Sequence, residues 1–139
     1  MVVSVDEAWT KRKAWLESLT DDWGGEMPGS KAIVPSALQA AEDLLRFCVT
    51  HNKERPGVFP LEHGGVSLEW VTMGAPHEVD NIRNVEITPD TVFELFELFD
   101  STVEDKETDQ GFKRTSYSND EASYSDAVEY ITNRIPNAR

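Results

Sequence analysis

The sequence predicts an α+β domain: two N-terminal helices, an antiparallel meander sheet of about four strands, and a C-terminal helix. Three observations carry this reading. Apolar residues recur at helical spacing towards the two ends of the chain, as at Leu38, Ala41, Leu44 and Cys48. Between about residues 58 and 88 the period changes to two, as in Val66-Ser67-Leu68-Glu69-Trp70. Glycine and proline punctuate the segments, and no internal repeat is present. At 139 residues the chain is expected to form one domain, 1–139. A domain of this size buries roughly 65–70% of the surface its unfolded form exposes, so it needs no disulfide.

The elements follow in order. Ser4-Val5-Asp6-Glu7 has the S-x-x-E spacing of a capping box and predicts a helix from about 5 to 19. Val5, Ala8, Trp9, Leu16 and Leu19 lie near one face of it, with Lys11, Arg12 and Lys13 near the other. The stretch TDDWGGEMPGS, residues 20–30, reads as an ordered loop pinned by Trp23. Pro35 suits the first turn of a second helix, about 35–51, whose stripe is Leu38, Ala41, Leu44, Leu45 and Cys48. Gly64-Gly65 fits a two-residue hairpin turn needing positive φ. That turn pairs His63 with Val66, Leu61 with Leu68 and Phe59 with Trp70. Phe59, Leu61, Val66, Leu68 and Trp70 then share the apolar face, with Glu62, Ser67 and Glu69 on the other.

A third strand is predicted over about 78–88. Residues 92–99, VFELFELF, carry a helical stripe at Val92, Leu95, Phe96 and Phe99. A strand is the preferred reading, because the segment is rich in strand formers and Pro89-Asp90 can turn the chain back antiparallel. Residues 100–110 read as an acidic loop, and Phe112–Tyr117 as a short edge strand. Ser123 or Ser125 caps the last helix, with Tyr124, Val128, Ile131 and Ile135 on one face before Pro136.

Charge excludes more than it assigns. Twenty-six acidic residues against 13 basic give a formal net charge of −13. Such a field repels phosphate backbones and anionic membranes and speeds encounter with basic proteins. Direct nucleic-acid or membrane binding is therefore not expected. One cysteine excludes an intrachain disulfide. The N-terminal MVVSVDEAW has neither a basic n-region nor an h-region, and no run of 18 apolar residues occurs, so a cytoplasmic protein is the expectation.

The candidate catalytic groups are sparse. Glu62, His63 and Glu69 are close in sequence, but strand alternation sends Glu62 and His63 to opposite faces and argues for a hairpin over a metal site. His77, Glu78 and Asp80 form a second grouping with His77 out of step. The three histidines, at 51, 63 and 77, fit no H-x-x-x-H or H-E-x-x-H pattern. Cys48 and His51 lie near one helical face, where a buried structural thiol is the simpler reading. No phosphate loop and no G-x-S-x-G elbow is present. No cofactor or metal is expected, and no enzyme. The alternative kept open is a small metal-dependent hydrolase using His63 or His77 with nearby carboxylates.

At W-G-G (23–25), P-x-x-A-L (35–38) and G-G-V-x-L-E-W (64–70) the chain resembles small bacterial proteins with a W-D-G loop, a proline-started helix and a G-G-(I/V)-x-L-E-W hairpin. The likeness covers about residues 16–99, with Gly24 in place of the aspartate. It implies an α+β fold with a meander sheet and brings no activity. Size and acidity are also similar to those of phage-encoded inhibitors, including anti-CRISPR proteins that occupy a DNA- or RNA-binding surface.

Residues 78–109 hold eleven acidic side chains against two basic. The expected function is a non-enzymatic acidic binding protein: an inhibitor or antitoxin-like partner of a basic, nucleic-acid-handling protein. Its expected contact surface is Glu94, Glu97, Asp100, Glu104, Asp105, Glu107 and Asp109, a sheet side and its loop. Trp23 has two readings, a plug over the core or a binding hot spot. A phage structural or assembly component is a further alternative.

Overall fold

Helix α1 (Glu7–Ser18), helix α2 (Pro35–Thr50), strands β1 (Gly57–Pro60), β2 (Val66–Thr72), β3 (Asp80–Ile87), β4 (Phe93–Asp100) and β5 (Lys113–Ala122), and helix α3 (Tyr124–Arg134) follow one another along the chain. They belong to a computed structural model that describes residues 6–24, 29–72, 80–100 and 113–138. The strands form one antiparallel meander in the order β1-β2-β3-β4-β5, one strand more than expected. The fifth is β5, the edge strand expected at 112–117, which runs ten residues. It follows β4 through two irregularities of register, near Phe93/Leu95 and Glu97/Leu98.

Both outer helices are capped by side chains. Asp6, not Ser4, caps α1, accepting from the Trp9 amide at 3.2 Å; Ser4 lies outside the described residues. Ser123 caps α3 in a capping box completed by Asp126. Proline at the start of α2 sets φ for the first turn where an amide would have no helical partner.

One core lies between the helices and one sheet face. Leu38, Ala41, Leu44, Leu45 and Cys48 of α2 are all buried, as the periodicity of that segment requires. They meet Val66, Leu68 and Trp70 of β2, Val85 and Ile87 of β3, and Phe93 and Leu95 of β4. Helix α3 contributes Ala127, Tyr130 and Ile131, with Ile135 just beyond it. Of the expected stripe, Ile131, Ile135 and in part Val128 pack inward and Tyr130 joins them, while Tyr124 is exposed, its ring set edge-on with Phe93.

Helix α1 also departs from expectation. Only Trp9 and Leu16 are buried along it, and two of its cations face the rest of the fold. Arg12 Nε donates to the Val58 carbonyl at 2.8 Å. Lys13 and the Trp9 indole both reach Glu42 of α2. The Arg12 guanidinium stacks on Trp15 and Phe59. It thereby blocks a carbonyl of the edge strand β1, a common way of protecting a sheet edge.

The β1–β2 hairpin differs most. Val66 pairs with Pro60, Ser67 with Phe59 and Leu68 with Val58, so residues 61–65 form the loop. The displacement from the expected register is odd, and an odd shift exchanges the faces of a strand. Val58 therefore enters the core and Phe59 is 44% exposed. Only Gly64 of the glycine pair has positive φ. Gly65 is needed for close approach, because a Cβ there would lie 2.2 Å from the Ile87 carbonyl oxygen. The loop is also bonded to the segment before α2, through Lys31 N to Glu62 O at 2.7 Å and Val34 N to Gly64 O at 2.9 Å.

Candidate functional site

The side of the sheet facing away from α2 and α3 carries the candidate site. Strand alternation places Ser67, Glu69 and Val71 of β2, Ile82, Asn84 and Glu86 of β3, and Glu94 and Phe96 of β4 on it. The observed hairpin register adds Phe59 of β1. None of these residues belongs to the core, and Arg12 of α1 reaches the border of the face at Phe59. Val71 is 45% exposed.

Among the described side chains, three carboxylates stand on this face. The register sets Glu86 directly opposite Glu94, while Glu69 lies opposite Asn84, one diagonal step from Glu86. Side chains so placed approach to within about 5 Å directly and 7–8 Å on the diagonal. Partial burial pushes the Glu86 carboxyl above its ordinary pKa, and the charges of Glu94 and Glu69 push it further. Among the described side chains no cation pairs with any of the three. Beside them Ser67 Oγ donates to Asn84 Oδ1 at 3.0 Å, both residues being more than nine-tenths buried. The face thus combines a fixed polar centre, crowded negative charge and apolar Phe59 and Val71 at its β1–β2 side.

The expected contact residues divide. Glu94 lies on this face. Glu97 does not: it is one of the buried charged residues, on the helix-covered side. Its Oε1 accepts from Tyr130 Oη at 3.0 Å and Arg83 Nε at 3.2 Å, and its Oε2 from Arg134 Nη1 at 3.1 Å. Burial alone would raise its pKa, but the Tyr130 hydroxyl and the Arg134 and Arg83 guanidiniums hold it below the ordinary value. Odd-numbered positions of β4 face the helices, so an acidic residue two places beyond Leu95 points inward. The backbone of Asp100 ends β4 opposite Asp80, and its side chain is not among those described. Glu104, Asp105, Glu107 and Asp109 lie outside the described residues.

Trp23 is half-buried and closes its own loop, donating its indole N–H to the Lys31 carbonyl at 2.6 Å. It is not part of the core. The neighbouring Asp21 and Asp22 accept from the Ala32 and Gly29 amides. These loop acids therefore hold backbone.

The candidate hydrolytic groups are dispersed. His63 is exposed and its Nδ1 accepts from the Gly65 amide at 3.1 Å; Glu62 lies beside it in the loop rather than across a strand. His77 and Glu78 lie outside the described residues. Cys48 is fully buried, and desolvation raises its thiol to about 11, which disfavours the thiolate a nucleophile requires. His51 is exposed and stacks on Phe47 at 4.3 Å between ring centroids. Among the described residues no three His, Cys, Asp or Glu side chains group to hold a metal ion, and no helix is long and apolar enough to cross a membrane.

In comparisons with known proteins, the chain matches no protein-family model, no curated protein and no solved structure.

Proposed function

We propose that the chain is a non-enzymatic acidic binding protein, an inhibitor of the phage anti-defence, anti-CRISPR-like or antitoxin-like kind. In this reading it takes a basic, nucleic-acid-handling protein on its open sheet face. The observation that carries it is the triad Glu69, Glu86 and Glu94, held without a described cation beside exposed apolar side chains. Like charges directly opposite destabilise a sheet, and a basic partner would relieve that repulsion. Phe59 and Val71 offer apolar contact area at the border of the charged centre. The acidic run Glu104, Asp105, Glu107 and Asp109 adds charge of the same sign by sequence.

Exposed ion pairs contribute only about 0–1 kcal/mol each. The charges are therefore expected to act through the rate of association, and affinity to fall as salt is added. The test uses wild type and the variant Glu86→Lys/Glu94→Lys as parallel baits in lysate of the source cell. Basic proteins held by wild type at low salt, released by salt and absent from the variant bait are the expected result. Equal recovery on both folded baits would exclude this face.

A further inference from the structure

We propose that the cavity at the C-terminal end of α3 is a binding site for a small oxyanion, a phosphate or carboxylate group, gripped by Arg83 and Lys53. This pocket lies on the helix-covered side of the sheet and does not depend on the reading of the open face. Its volume is about 490 Å³; Lys53, Arg83 and Arg134 border it, with Asn133 and Asn137, and among the described residues no aspartate or glutamate lines it. In a chain with twice as many acidic as basic residues, three cations around one cavity are not the random expectation.

The buried Glu97 explains how the cations are held. It accepts from Nε of Arg83 and from Nη1 of Arg134, so a single carboxylate holds two guanidiniums. Among the described residues Arg83 is engaged only through Nε, and nothing there bonds its two Nη groups, which carry four N–H donors. A guanidinium with a fixed plane and open donors matches the paired oxygens of a phosphate or carboxylate. Carbonyls at a helix C-terminus would ordinarily repel an anion. Here Lys53 Nζ donates to the Thr132 and Ile135 carbonyls, both at 3.1 Å, leaving one ammonium proton uncommitted. The Lys53–Asn137 bridge also holds Asn137 beside that lysine.

Nuclear magnetic resonance of the ¹⁵N-labelled full chain tests this, with inorganic phosphate and acetate titrated separately against chloride at matched ionic strength. Saturable movement of the Arg83 Nε–H signal and of the Asn133 and Asn137 side-chain amides is expected with at least one oxyanion. Tighter saturation by phosphate indicates a phosphate-bearing ligand, and tighter saturation by acetate a carboxylate. Loss of a charge-assisted bond in Arg83→Gln or Lys53→Gln weakens half-saturation by about tenfold or more. Lys53→Gln leaves every Glu97 bond intact, so it decides the matter if Arg83→Gln does not fold. Shifts that stay linear and equal to those of chloride overturn the proposal. So does a folded Lys53→Gln chain that saturates at the wild-type concentration.

Discussion

Replacing Glu97 by Gln tests whether the inward-facing acid is structural. The substitution keeps the shape of the side chain and removes the charge that Tyr130, Arg83 and Arg134 share. Breaking a fully buried ion pair costs about 3–5 kcal/mol. Two features lower the figure here. The Arg134 side chain is 43% and the Arg83 side chain 23% exposed, so both regain water. The Gln carbonyl can still accept from Tyr130. A loss of about 2–3 kcal/mol is expected, the range of one or two charge-assisted hydrogen bonds. Urea unfolding followed by tryptophan fluorescence at neutral pH reads it. The sign of the pH dependence is fixed by the depressed pKa of Glu97. A carboxyl depressed on folding stabilises above its unfolded value, near 4.5, and loses that contribution as pH falls through its lower folded value. The gap between wild type and variant should therefore close in acid. A gap below about 0.5 kcal/mol at neutral pH, the ordinary range of surface changes, would refute the reasoning. So would one that persists undiminished in acid.

Glu86 carries the opposite sign. Its pKa is raised, so its charged form opposes folding once pH climbs past the unfolded value. Glu86→Gln should stabilise the chain at neutral pH by about 0.2–1 kcal/mol, the scale of one cross-strand pair, and leave it unchanged in acid; thermal unfolding at two pH values checks this. Gly65→Ala should destabilise by about 1–3 kcal/mol, because its Cβ would meet the Ile87 carbonyl oxygen; chemical denaturation reads it, and an unchanged midpoint contradicts the loop geometry. The Cys48 thiol should resist a thiol reagent until the chain unfolds, since it is buried with its pKa raised to about 11. Fast labelling of folded protein would place it elsewhere.

Most of the fold was legible because the apolar pattern of each long element is redundant. Five positions of α2 agree on one face, and the alternation of β2 and β3 admits one assignment. VFELFELF satisfied both periods, yet β-branched and aromatic content with a turn before it favoured a strand, as found. The hairpin register was not legible. Val58 and Phe59 are both apolar, so either could face the core, and the glycines are used for close packing rather than for a two-residue turn. The cationic side of α1 misled for a related reason: Arg12 and Lys13 have partners distant in sequence, Val58 and Glu42. The site was half legible. Excess acid marked the sheet, but parity alone separates Glu94, outward, from Glu97, inward, and parity needs the register of β4. Arg83 and Arg134 converge on Glu97 from β3 and α3, which no local pattern reveals.

The most direct measurement of the docking surface is carboxylate footprinting of the chain alone and with its captured partner. Water-soluble carbodiimide labels accessible carboxyl groups, and peptide mass spectrometry locates them. Glu69, Glu86 and Glu94 should label in the free chain and lose labelling in the complex. Asp43 on the helical side should label equally in both, and buried Glu97 in neither. Unchanged labelling of Glu69, Glu86 and Glu94 in a saturated complex would contradict the account and place the partner on another surface.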